Sequence, residues 1–135
     1  MDAEPETLDR LVQTSFTVMA VLNQAAAAHD LSLTQLRVLA ILRDHEPKIA
    51  ELAAYLGLDR SSVSGLIDRA VKRDLVRRTA SEDDARAVRV SLTPAGHRLA
   101  PTLTAEIGGA LTPLTSKLTP AEQRKLGTLL AKLLD

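Results

Sequence analysis

Between Ile49 and Leu92 the spacing of apolar residues changes from helical to alternating, and this limits the folds open to the 135-residue chain more than any other feature. Ile49, Leu52, Ala53 and Leu56 lie on one helical stripe. Val63, Leu66, Ile67, Ala70 and Val71 lie on a second, at i, i+3, i+4, i+7 and i+8. Gly57-Leu58-Asp59 separates the two, with Gly57 where a left-handed helix end is wanted and Asp59 placed as an N-cap. Two short helices about such a joint predict a helix-turn-helix. The period then becomes two: Leu75 to Ala80 reads as a strand and Ser81 to Ala85 as a polar turn. Val88, Val90 and Leu92 alternate with Arg89 and Ser91 as a half-buried returning strand. A β-hairpin directly after a helix-turn-helix is a wing.

Helical patterns flank this unit. From Pro5 to about His29, Leu8, Leu11, Val12, Met19 and Leu22 recur on one face and Ala25 to Ala28 add strong helix formers. Ser32-Leu33-Thr34-Gln35 is a capping box, predicting a helix from about Leu33 to His45, with Pro47 as its stop. That helix is apolar nearly all round at Leu36, Val38, Leu39, Ala40, Ile41 and Leu42, which places it at the centre of the core. Thr93-Pro94 starts another helix, and Pro101, Gly108, Gly109 and Pro113 predict that it is kinked or interrupted. Thr119-Pro120-Ala121-Glu122 caps a last helix, whose Leu126, Leu129, Leu130, Leu133 and Leu134 form a stripe that needs a cover. The expected fold is mainly α with a small β-hairpin, a winged helix-turn-helix at 31–98 flanked by helical segments at 1–30 and 99–135, all in one compact unit.

Several chemistries are excluded or unsupported. With no cysteine there is no disulfide, thiolate metal site or thiol switch. His29, His45 and His97 are too scattered for a helical zinc pair, so no metal, cofactor or catalytic residue is expected and the chain does not read as an enzyme. No apolar run reaches the roughly 18 residues of a membrane span and the start is acidic, so a cytoplasmic protein without membrane contact is expected.

The second helix of the helix-turn-helix offers a different chemistry. With its apolar stripe turned inward, Arg60, Ser61, Ser62, Ser64, Gly65, Arg69, Lys72 and Arg73 remain for a partner. Small hydroxyl residues and a glycine let a helix enter a major groove closely, and arginine can bond guanine bidentately. At the wing turn, Arg86 suits the negative potential of a narrow minor groove, with Asp84 as the acid that fixes its guanidinium. The competing reading takes the serines as caps and the cations as a solvated surface.

From Leu33 to Gly96 the chain resembles the multiple-antibiotic-resistance regulator (MarR) family of bacterial transcription factors. The resemblance rests on Ser32-Leu33-Thr34-Gln35-Leu36-Arg37-Val38-Leu39, Ile49-Ala50-Glu51-Leu52-Ala53, the run from Leu56 to Ser64, Leu66-Ile67-Asp68-Arg69, Asp84-Ala85-Arg86 and the run from Val90 to Gly96. It implies a homodimer whose first and last two helices interleave, making 1–30 and 99–135 dimerisation segments. It also implies a repressor that reads a pseudo-palindromic operator in double-stranded DNA through Ser61, Ser62, Ser64, Gly65 and Arg86. A small phenolic or anionic effector between dimer lobe and reader would relieve repression. A ligand-independent regulator and a winged helix that binds protein stay open beside it. Three positions depart from the family pattern: Ala70 for the usual leucine, Asp74 for glycine before the strand, and Ala85 for a frequent arginine.

Zero net charge would by itself argue against a DNA partner. The zero is a cancellation: residues 1–47 carry three cations against seven acids, and residues 48–98 carry ten against seven. Between Arg60 and Arg78 the ratio is six to two.

Overall fold

Pro5 opens the first helix, α1 (Pro5–Ala27), in a computed structural model that describes residues 4–83 and 87–135. The sequence-predicted wing residues Asp84 and Arg86 lie outside the described residues. After α1 the chain turns through Asp30 at φ 55°. There the amides of Asp30 and Leu31 bond the carbonyls of Ala27 and Ala26, a left-handed helix end built on an aspartate.

Helix α2 (Leu33–Asp44) begins at the expected capping box: Ser32 Oγ accepts from the Gln35 amide at 3.1 Å, and Gln35 Oε1 accepts from the Ser32 amide at 2.9 Å. Its Leu36, Val38, Leu39 and Leu42 are buried, and the helix packs against α1 and against two later elements, the strand Val88–Leu92 and the helix Pro94–Thr115. α3 (Ile49–Leu56) ends at Gly57 with φ 66°, a backbone state that glycine adopts without a Cβ clash. α4 (Arg60–Lys72) follows after two residues. The strands β1 (Val76–Ala80) and β2 (Val88–Leu92) pair antiparallel with Val76 opposite Leu92 and Ala80 opposite Val88. Leu52, Val63, Ile67, Val76, Val90 and Leu92 are each under 2% exposed, so helix-turn-helix and hairpin share one core.

α5 (Pro94–Thr115) is seated on the turn that follows α4. The Thr93 amide and hydroxyl donate to the carbonyls of Leu75 and Asp74, at 3.1 and 2.5 Å. One turn on, a Cβ at Gly96 would lie 2.2 Å from the Leu75 oxygen, so only glycine permits this approach. α6 (Pro120–Leu134) starts at the predicted Thr119–Glu122 box and buries none of its residues.

Three expectations need correction. α5 is not interrupted: it runs for 22 residues through Pro101, Gly108, Gly109 and Pro113. A proline inside a helix costs about 3 kcal/mol. Ala100 and Leu103, buried against α2, supply packing that offsets it. Val71 is not turned inward but 38% exposed, because the buried arc of α4 is centred on Val63, Ile67 and Ala70. The alternation along β2 also fails, with Ser91 buried and Val88 exposed. Arg77 lies opposite Ser91 and its Nε bonds the hydroxyl at 3.4 Å. The other edge of β2 is covered where Val90 and Arg89 pair with Pro47 and Lys48.

Candidate nucleic-acid interface

The outward stripe of α4 follows from its buried one. With Val63, Ile67 and Ala70 inward, a 100° step per residue sets Ser61, Gly65, Asp68, Arg69 and Lys72 on the opposite side. Arg60, Ser61, Ser62, Arg69 and Lys72 are exposed, while Ser64 and Gly65 are half-buried. No protein neighbour crowds Gly65; the nearest atom to a Cβ built there is Arg69 Nη1, at 3.5 Å. The middle of the stripe is therefore shallow, flanked by cations.

Asp59 caps the helix. Its Oδ1 accepts from the Ser62 amide and from the Ser61 hydroxyl, each at 2.7 Å. The Ser62 amide first, then the Ser61 hydroxyl, hold the Asp59 carboxyl below its ordinary value. Because the Ser61 proton is engaged, its oxygen faces outward as an acceptor, suited to the amino groups of cytosine or adenine.

The wing is bonded to this helix. Arg78 of β1 donates through Nη2 to Asp68 Oδ1 at 2.6 Å. Arg89 of β2 donates to the Glu46 carbonyl at 2.9 Å and to Asp83 at 3.2 Å. Sequence reasoning passed over Arg78 and Arg89 because their partners are tertiary; the one available signal was two arginines facing opposite sides of a short hairpin at Arg77 and Arg78.

The cations of the sequence-predicted interface divide. The side chains of Arg60, Arg69 and Lys72 make no hydrogen bond or ion pair among the described residues. Arg73 is engaged: Nη2 and Nη1 donate to the carbonyls of His29 and Asp30 at 2.7 and 2.8 Å. Among the described residues no group of three His, Asp or Glu could hold a metal ion, and no helix is long and apolar enough to cross a membrane.

Between α1, α2 and α5 lies a cavity of about 330 Å³, lined by Leu22, Leu36, Leu103 and Ile107 with Arg37 and Arg43 among its walls. Arg43 donates to Thr104 at 3.4 Å and to its neighbour Asp44 at 3.0 Å.

The chain is similar to known proteins in sequence and in fold. Residues 29–87 match the model of the MarR family. The regulator MgrA of Staphylococcus aureus, an HTH-type transcriptional regulator, is 31% identical over 113 residues, 83% of this chain and 76% of that protein. YfiV of Bacillus subtilis, an uncharacterized HTH-type transcriptional regulator, is 40% identical over 65 residues, 47% of this chain; the match spans 41% of that protein's length. Wild-type MarR of E. coli in its apo form superposes with a TM-score of 0.81 at 28% identity over the whole of both chains. A mutant of the same protein complexed with operator DNA superposes at 0.74, with 29% identity over 96% of this chain and 94% of that one.

Proposed function

The chain belongs to the MarR family of helix-turn-helix transcriptional regulators that bind DNA, and from that premise we propose a homodimeric repressor of its own or adjacent genes. The observation that carries the dimer is the uncovered apolar surface of α1 and α6. Leu11, Val12, Phe16, Leu129 and Leu133 are all exposed, Phe16 and Leu133 by 65% each. Two helices with such faces, one at each end of the chain, fit a second copy of the same chain, which would cover both together. Residues 1–30 and 99–135 then form the dimer lobe, and 31–98 the reader, within one compact unit.

Two α4 helices related by a twofold axis would enter successive major grooves roughly one helical turn apart on a pseudo-palindromic operator. Arg60, Ser61, Ser62, Ser64, Gly65, Arg69 and Lys72 face the DNA in this reading. Arg86, oriented by Asp84, is assigned to the minor groove from its place in the wing turn. Relief of repression is assigned to a small effector in the cavity beside α2. An apolar body with one anionic group suits walls of leucine and isoleucine with two arginines. Such a ligand acts only through a preference for one separation of the two readers.

Electrophoretic retardation on the gene's own upstream region tests this reading. The expected result is a sequence-specific shift that weakens steeply with salt and is reduced by Arg69→Ala and by Arg86→Ala. A salt-insensitive response would point to a winged helix that binds protein.

A further inference from the structure

We propose that Arg73 is a positioning residue that sets the angle of the recognition helix α4 on the dimer lobe, and thereby the operator spacing the dimer accepts. The proposal rests on the dimeric reading above.

Arg73 is the C-terminal cap of α4. Its guanidinium spans 43 residues of sequence to fork onto two successive carbonyls, Asp30 at 2.8 Å and His29 at 2.7 Å. Both distances are those of charge-assisted bonds. The acceptors sit at the end of α1, where the left-handed Asp30 closes the helix. A cation here also meets the negative end of the helix dipole. The same joint reaches α5, because the His29 ring is 2.8 Å from the Glu106 carboxylate through Nε2.

Arg73 thus bonds the reader to the turn that closes α1, and His29 of that turn bonds to α5. The space beneath it, between Leu31, Val38, Leu66 and Ala70, is about 10 Å³, room for at most one water, so the side chain rests on a nearly closed part of the core. A fork of two bonds fixes direction as well as distance, which a single ammonium does not. In a twofold dimer, a small rotation of α4 about this joint moves both recognition helices in opposite senses and changes their separation.

The test uses the full-length dimer and a duplex recovered by selection from the upstream region, with derivatives carrying one base pair more or fewer between half-sites. Wild type, Arg73→Ala and Arg73→Lys are compared for affinity on each duplex across a salt series, with thermal unfolding as a control for folding. Arg73→Ala is expected to bind the parent duplex about tenfold more weakly. It should lose most of the wild type's discrimination between spacings, at an unchanged slope of log affinity against log salt. Arg73→Lys, which keeps the charge without the fork, should lose discrimination too.

A slope reduced by about one, with spacing discrimination intact, would make Arg73 a phosphate contact and overturn the proposal. Full discrimination in a folded Arg73→Ala or Arg73→Lys would overturn it as well. A wild-type chain with no spacing preference would instead remove the dimeric reading on which it stands.

Discussion

Arg78 and Asp68 join the first strand of the wing to the outward face of the recognition helix, Nη2 to Oδ1, at 2.6 Å. The pair is half-exposed, with Arg78 at 34% and Asp68 at 58%, so it contributes at most about 1 kcal/mol to stability. Its larger effect is on geometry, since it holds the wing at a set angle to the helix. Arg78→Ala should therefore leave the urea midpoint nearly unchanged while operator affinity falls about tenfold. Combined with Asp68→Asn, the two losses should be far from additive in binding. Additive losses would show that the two residues act separately.

Asp59 predicts a pH dependence with a definite sign. Its folded carboxyl lies below the ordinary 3.8, because it accepts from the Ser62 amide and the Ser61 hydroxyl. A depressed carboxyl contributes stability that is fully present above its unfolded value and disappears as pH falls through its folded value. The N-terminal turn of α4 should fray below about pH 4. Asp59→Asn, also a good cap, should match wild type at neutral pH and lose less stability on acidification. Acid titrations followed by circular dichroism give the comparison. Identical acid transitions would remove Asp59 from the account. Glu122, depressed by the Thr119 amide and hydroxyl, acts in the same direction at α6 and serves as an internal reference.

The joint between α4 and α5 predicts two opposite effects. Asp74 is held at φ 58°, in the left-handed region that costs an aspartate more than a glycine. Asp74→Gly should stabilise by about 0.5 kcal/mol. Gly96→Ala puts a methyl group against the Leu75 carbonyl and should destabilise by about 3 kcal/mol, as the packed helix and strand cannot both stay in place. Urea denaturation would measure both, and a neutral Gly96→Ala would mean that α5 does not sit on Leu75 as described.

At Ala70 the family resemblance invites a leucine, yet the void beside it, about 10 Å³, has room for at most one water and not for the three carbons a leucine adds. The neighbouring residues have already closed around the smaller side chain. Ala70→Leu should thus destabilise, by about 1–3 kcal/mol, rather than fill a gap. A rise in melting temperature would contradict this packing.

The helix boundaries were legible in the chain because their signals are local. Ser32 with Gln35, Asp59 with Ser62, Thr119 with Glu122 and the left-handed Gly57 each act within a few residues. The left-handed Asp74 was signalled only by the resemblance, which has glycine at that position. What escaped was long-range. Nothing near Arg73 in sequence indicates that its fork ends on His29 and Asp30, and the same counting of outward cations placed it beside Arg69 and Lys72. Arg78 was concealed similarly, since its partner is ten residues earlier on another element. Pro101 and Pro113 argued for a broken α5 because local propensity cannot register the packing of Ala100 and Leu103 against α2.

Sedimentation equilibrium of the full chain, alone and with a labelled duplex from its upstream region, tests the central claim most directly. The apolar faces carried by Phe16 on α1 and Leu133 on α6 predict a dimer at micromolar concentration and two chains on each duplex. A monomer that remains monomeric at that concentration, or one chain bound per duplex, would contradict it.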